Sequence, residues 1–333
     1  MIGILLINLG TPASFSESDV RDYLNEFLSD PYVITLPKIL RDFLVQKIIL
    51  PKRPKISAAA YQKIWTENGS PLLVNSIALQ NALQKKTGDD YCIALGMRYC
   101  NPSIANALDI LKKNNCEKII ALPLFPQFSN ATTQSALDCV NNAMTEKNIT
   151  VEIKIIHDFY NQDFYIDSLS KIISESWQKN NAEFLLLSYH GLPKRQKDSE
   201  NYRAQCYETS KLLTEKLNLS AQQYQVSFQS RLGFTKWITP YTDHVIHSLR
   251  EKNIKKLSVA CPSFVADCVE TLEEINIRLR EQWMQLGGES FELIPCLNAD
   301  TLWVERLSDT IMRSSSAIQK PSVSAGAVNT APH

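Results

Sequence analysis

The stretch IGILLI, residues 2–7, is an unbroken apolar run rich in isoleucine and leucine, the pattern of a strand buried on both faces of a sheet. Similar short runs recur at 92–97, 118–124 and 151–156, separated by helix-like stretches. A second series follows at 183–188, 224–228 and 257–261, with 291–294 as its weaker fourth member. Strands that alternate with helical patterns indicate βαβ units and parallel sheets. The helical pattern is clear at 103–113, where Ile104, Ala105, Ala107, Leu108 and Leu111 form one face after Pro102 and Ser103. It is equally clear at 168–177, through Leu169, Ile172, Ile173 and Trp177. The chain therefore reads as two doubly wound α/β halves, an N-terminal domain over 1–160 and a C-terminal one over 161–298. A helix near 299–313 is expected to pack on the first domain.

A length of 333 residues fits two domains better than one core. Lysine plus arginine and aspartate plus glutamate both number 35, so the chain lacks the basic footprint of a nucleic-acid binder, and no nucleic-acid partner is expected. The first ten residues have no basic flank or small-residue cleavage site and read as a strand, not a signal peptide. No segment approaches the roughly 20 unbroken apolar residues of a spanning helix, and a cytoplasmic protein is expected. The eight cysteines contain no CxxC pair, and in a chain of this size they read as small buried hydrophobes rather than a disulfide framework.

Two segments stand apart. Residues 32–55 mix Leu, Ile, Val and Phe with Lys38, Arg41, Lys47, Lys52, Arg53 and Lys55, which fits either a helix on the core or an apolar lip over a ligand or against a membrane surface. Residues 314–333, rich in Ser, Ala and Pro, read as a disordered tail.

Ligands of open α/β sheets sit at the carboxyl ends of the strands, so the residues after each run carry the chemistry. FLLLS is followed by Tyr189, His190, Gly191, Leu192 and Pro193, which puts an imidazole at a strand end. LSVAC leads through Pro262 to Glu270, Glu273 and Glu274, and on an α-helix these three carboxylates would share a face. Position alone also permits bland readings: a histidine holding scaffold hydrogen bonds and a solvated acidic face. NLGTP after the first run has a single glycine, so it makes neither G-x-G-x-x-G nor a P-loop. No G-x-S-x-G elbow occurs, and spacing gives no zinc site.

At these residues the chain resembles the ferrochelatase family. The matching segments are NLGTP at 8–12, GSPL at 69–72, MRY at 97–99, LPLFPQFS at 122–129, SYHGLP at 188–193, FQSRLG at 228–233 with Trp237 and Pro240 after it, and CPSFVADCVETLEEI at 261–275. Each is weak alone, but together they stand in order over nearly the whole chain. The resemblance implies two Rossmann-like, chelatase-type domains with a porphyrin between them and ferrous iron entering as substrate. It makes His190 the acceptor of pyrrole protons or a ligand of the iron, and Glu270 its partner ligand or proton path. Glu273 and Glu274 would continue as a relay, Ser70 and Arg98 would hold a propionate, and Leu9, Tyr99 and Trp237 would lie near the ring. It also makes 32–55 the lip, with peripheral contact at the inner membrane. Some members carry an iron–sulfur cluster on C-terminal cysteines. Here Cys261, Cys268 and Cys296 are unsuitably spaced, so no cluster and no tightly bound cofactor is expected. Cys268 stands where many members have histidine, and Ala13 where some monoderm bacterial members have tyrosine. The activity expected is insertion of iron into protoporphyrin IX to form haem. The alternatives are a chelatase for coproporphyrin III or another tetrapyrrole, and a carrier that binds porphyrin or haem without metallating it.

Overall fold

A computed structural model describes residues 1–231, 233 and 235–319. The first half contains strands β1 (Ile2–Gly10), β2 (Tyr91–Tyr99), β3 (Lys118–Pro123) and β4 (Glu152–Ile155). Its α-helices are α1 (Glu17–Leu28), α2 (Lys38–Phe43), α3 (Arg53–Ile64), α4 (Pro71–Thr87), α5 (Ile104–Lys113) and α6 (Ser135–Glu146). The second half contains β5 (Phe184–His190), β6 (Tyr224–Gln229), β7 (Lys256–Ala260) and β8 (Ser290–Leu293). Its α-helices are α7 (Asp163–Asn180), α8 (Ser199–Lys216), α9 (Thr242–Glu251), α10 (Arg280–Gln285) and α11 (Thr301–Gln319). Three segments wind as π-helices: π1 (Leu44–Ile49), π2 (Asn130–Gln134) and π3 (Glu270–Leu279).

Each half builds a four-stranded, wholly parallel sheet, in the orders β2-β1-β3-β4 and β6-β5-β7-β8. The two orders are the same once the second is renumbered. In both, the chain adds one strand to one side of the first and then returns to the other side. That reversal opens a crevice at the carboxyl ends of the two central strands, β1 and β3 in one sheet, β5 and β7 in the other. All eight apolar runs become strands because each is short and β-branched or leucine-rich; the central strands are buried on both faces by helices, whereas the edge strands β4 and β8 are partly exposed.

Alternation divides the packing. Ile4 and Leu6 of β1 belong to a cluster that runs through both halves, with Leu187 and Tyr189 of β5, Phe159, Phe164 and Trp303. Leu5 and Ile7 face the other way, against Leu108, Leu111 and Val140 of α5 and α6. Trp303 stacks on Phe164 at a centroid distance of 5.8 Å, and truncating a fully buried tryptophan costs about 3–5 kcal/mol. The halves thus share one interior, which fixes their crevices relative to each other.

Helix α11 packs on α4 of the first half and α7 of the second. It continues to Gln319, so residues 314–319, read from composition as the start of a disordered tail, are helical. The serine-rich sequence prolongs a helix that is already anchored. Ser315 is buried and its Oγ lies 2.7 Å from the Tyr91 hydroxyl. The remainder of that tail, 320–333, lies outside the described residues.

Candidate active site

His190 ends β5, at the reversal point of the second sheet. Its amide donates to Ser263 Oγ at 2.8 Å, and its carbonyl accepts from the Tyr202 hydroxyl at 2.9 Å. Ring atom Nδ1 lies 2.7 Å from the Gly191 carbonyl oxygen. A carbonyl can only accept, so Nδ1 carries the proton, and the lone pair of the neutral ring is on Nε2. The half-buried imidazole meets Phe264 edge-on, with centroids 6.2 Å apart. Gly191 is required where it stands. A Cβ there would lie 2.8 Å from the Gln229 carbonyl oxygen and 3.3 Å from Cε3 of Trp237. The missing side chain lets Trp237 lie against the backbone beside His190.

The segment after β7 is held by Asp267, which is buried. Its carboxylate accepts from Asn298 Nδ2 at 2.7 Å and Thr271 Oγ1 at 3.0 Å, while its amide donates to Asn298 Oδ1 at 2.9 Å. This fixes the entry to π3, whose first residue is Glu270. Gln229, at the end of β6, ties the two key segments together. Its carbonyl accepts the Gly191 amide at 2.8 Å, and its side-chain Nε2 donates to the Glu270 carbonyl at 2.8 Å. Its Oε1 accepts from Ser188 Oγ at 2.7 Å, so every polar atom of the amide is used to hold β5 against π3. Reading the strand ends as isolated loops missed Gln229; its place at the end of the run 224–228, inside the matching segment FQSRLG, was the available signal, and its register with His190 came only with the fold.

The half-buried Glu270 stands beside Cys268, Tyr23 and Tyr61. Burial pushes the Cys268 thiol well above its usual pKa, and the Glu270 carboxylate adds to this by charge and by a hydrogen bond. Burial likewise raises the phenols of Tyr23 and Tyr61, with the charge of Glu270 contributing to both. Tyr61 lies on α3 of the first half, so Glu270 stands where the two halves meet. Burial also raises the Cys261 and Cys296 thiols, which favours the protonated form over the thiolate that binds metals. Among the described residues no group of three or more His, Cys, Asp or Glu side chains is placed to hold a metal ion.

The carboxylate face read from spacing is split. In a π-helix the bonds run from i to i+5, so the turn is wider and residues three apart no longer align. Glu274 accepts from the Ser230 amide at 2.9 Å and Ser230 Oγ at 2.6 Å. Glu273 turns inward and is paired with Lys63 at 3.2 Å and Arg278 at 2.7 Å.

The residues read as porphyrin neighbours also divide. Leu9, half-buried at the end of β1, packs against the aromatic cluster that contains Tyr23, Tyr61 and Tyr99. Ser70 Oγ accepts from Thr11 Oγ1 at 2.7 Å, which leaves the serine proton available to donate. Tyr99 is fully buried, with its hydroxyl 2.9 Å from Asp30 Oδ2, so it supports the site from beneath and does not face the crevice. Arg98 gives Nη2 to the same Asp30 oxygen at 2.5 Å and Nε to Ser135 Oγ at 2.7 Å.

Two parallel four-stranded sheets of the same strand order, each flanked by helices, are the fold of the metal chelatases. Two solved structures from Bacillus subtilis share it. SirB with Fe3+ superposes with a TM-score of 0.56 at 10% identity, covering 96% of this chain and 98% of that one. The sirohydrochlorin chelatase SirB in complex with cobalt, from subspecies spizizenii, gives 0.56 at 7% identity, covering 95% of each. Sequence narrows the class. The ferrochelatase family model matches residues 1–315. A ferrochelatase of Coxiella burnetii, strain Dugway, is 49% identical over 94% of this chain and 94% of its own. One from Legionella pneumophila, strain Philadelphia 1, is 48% identical over 93% of this chain and 98% of its own. The chain belongs to the ferrochelatase family: it is a metal chelatase, a lyase that puts iron into a porphyrin in haem biosynthesis.

Proposed function

We propose that the substrate is protoporphyrin IX and that His190 and Glu270 carry the metallation, with ferrous iron as co-substrate and no resident cofactor. Metallation exchanges two pyrrole N–H protons for one Fe2+. In this reading Nε2 of His190, which the Nδ1 hydrogen bond to the Gly191 carbonyl leaves free, takes a pyrrole proton as a general base. The Glu270 carboxylate offers the entering cation an anionic oxygen and accepts the second proton. The observation that carries the reading is Gln229, whose main-chain carbonyl holds the Gly191 amide beside His190 while its side-chain Nε2 holds the Glu270 carbonyl, so that the two backbones are tied through one residue. The half-burial of both groups supports it, because such a site keeps much water away from the reacting nitrogens.

The ring would lie against Leu9 and Trp237, whose apolar surfaces suit a large flat ligand. Ser70 would donate to a propionate. Arg98 enters through Asp30, which already balances its charge, and so orients the wall of the crevice more than it neutralises a substrate. Glu274 and the buried Glu273 take structural parts in this reading.

The lip carries a second element of the proposal, peripheral contact with the cytoplasmic face of the inner membrane. Ile39 is 83% exposed, Phe43 59% and Leu40 56%, next to the exposed Lys38 and Lys47. An apolar face flanked by lysines is the composition of an interfacial helix. No helix among the described residues is long and apolar enough to cross a membrane, so contact of this kind would be made in the interface. Incubation with Fe2+ and either protoporphyrin IX or coproporphyrin III, followed by visible absorbance, tests the function. Loss of the free-base spectrum with protoporphyrin IX is expected. Preference for coproporphyrin III would overturn the substrate, and tight binding without metallation would overturn the chemistry.

A further inference from the structure

We infer that Glu273 is a positioning residue: a buried carboxylate that clamps 270–279 in its π winding and ties that winding to α3, thereby fixing Glu270. The role of Glu270 rests on the function proposed above; the clamp itself is a matter of geometry.

The side chain of Glu273 is 4% exposed and meets one cation at each oxygen. Lys63 Nζ lies 3.2 Å from Oε1 and Arg278 Nε 2.7 Å from Oε2. The Arg278 contact spans five residues of one helix. Around an α-helix such a pair stands about 140° apart, and the side chains that meet are three or four apart. The i to i+5 ladder of π3 brings residues five apart onto one flank. Relaxing the segment to an α-helix would therefore separate Arg278 from a carboxylate that has lost its water, a costly state for a buried charge.

The Lys63 contact fixes the same carboxylate from α3 of the first half. Lys63 is on α3, two residues after Tyr61, which itself feels the charge of Glu270. Glu273 thus joins the lip-bearing half to the helix that carries Glu270. Both cations are half exposed, 49% for Lys63 and 53% for Arg278, so each can be replaced without opening the core. A carboxylate held from both sides explains why Glu273 is buried in a helix whose neighbouring acids, Glu270 and Glu274, are only half-buried.

The test uses the full-length protein with Arg278→Gln, Arg278→Lys, Lys63→Gln and the double variant Arg278→Gln/Lys63→Gln. Amide hydrogen exchange is followed over 270–279 and, as a control, over β5. Steady-state kinetics are measured with Fe2+ and protoporphyrin IX. In Arg278→Gln, exchange over 270–279 should quicken about tenfold with β5 unchanged. Its kcat should fall about tenfold while the porphyrin KM stays within twofold. Arg278→Lys should recover most of both, and Lys63→Gln should show a smaller change in the same direction. Unchanged exchange over 270–279 in the double variant would overturn the clamp. Faster exchange with unchanged kcat would overturn the positioning of Glu270. A wild-type protein without iron insertion would remove the functional reading alone, and exchange would still decide the clamp.

Discussion

Arg98 Nη2 lies 2.5 Å from Asp30 Oδ2, and the same oxygen accepts from Ser135 Oγ at 2.6 Å and from the Tyr99 hydroxyl at 2.9 Å. The other carboxylate oxygen accepts from the Tyr32 amide at 2.7 Å. One buried acid therefore joins the root of the lip, the end of β2 and the start of α6. Removing one partner of a buried ion pair costs about 3–5 kcal/mol, so Asp30→Ala should lower the urea-unfolding free energy by about that amount. A change under about 1 kcal/mol would place this pair with ordinary surface ion pairs and remove Asp30 as the hub.

The base and the carboxylate can be separated from their support. His190→Ala and Glu270→Gln should each reduce kcat by at least about 100-fold, the lower range of general acid–base contributions, with unchanged circular dichroism. Gln229→Leu leaves both groups and the main-chain bond to Gly191 in place but removes the side-chain bonds to the Glu270 carbonyl and to Ser188, so a smaller loss in kcat with little change in porphyrin KM is expected. Wild-type rates in His190→Ala and Glu270→Gln would refute the assignment of both.

Thiol chemistry gives an independent test of the interior. Burial raises the thiols of Cys206, Cys261, Cys268 and Cys296 well above their usual range. A raised folded-state pKa means that the folded protein holds the proton more tightly than the unfolded chain. The associated stability is present below the unfolded value of about 8.5 and is lost as pH rises toward the folded values. The urea midpoint should therefore fall between pH 8 and pH 10, and these four thiols should stay unlabelled by a thiol reagent at neutral pH until the protein unfolds. Rapid labelling of the native protein, or a midpoint that rises with pH, would contradict this.

The lip predicts a surface property. Ile39→Ser/Phe43→Ser removes two of its most exposed apolar side chains and should reduce co-sedimentation with vesicles containing anionic lipid several-fold. The melting temperature should hardly move, because neither residue is in the core. High salt should weaken wild-type binding only in part, since the lysine contribution is screened and the apolar one is not. Equal sedimentation of variant and wild type would count against membrane contact through this segment.

The positions of all eight strands were legible in the sequence, because burial of the central strands on both faces writes itself into runs of apolar residues, and the shorter edge strands β4 and β8 repeat that pattern more weakly. His190 and Glu270 were legible as candidates: each comes after an apolar run, where such sheets bind ligands, and the resemblance to the family supplied their roles. Their surroundings were not. Lys63 meets Glu273 across 210 positions and Arg98 meets Asp30 across 68, and local periodicity carries no information about partners so far apart. The carboxylates of 270–274 show the difference most clearly. Spacing set Glu270, Glu273 and Glu274 on one face because it assumed an α-helix, whereas the wider π turn sends Glu273 inward to two cations and Glu274 to Ser230. The sequence by itself determined two parallel α/β halves and the family, and it singled out His190 and Glu270 as candidates, since these depend on short-range pattern and on motifs. Only the tertiary structure decided that Gln229 joins those residues, that Asp30 holds Arg98 and that Glu273 is a clamp, because a buried hydrogen bond or ion pair is defined by what folding brings beside it.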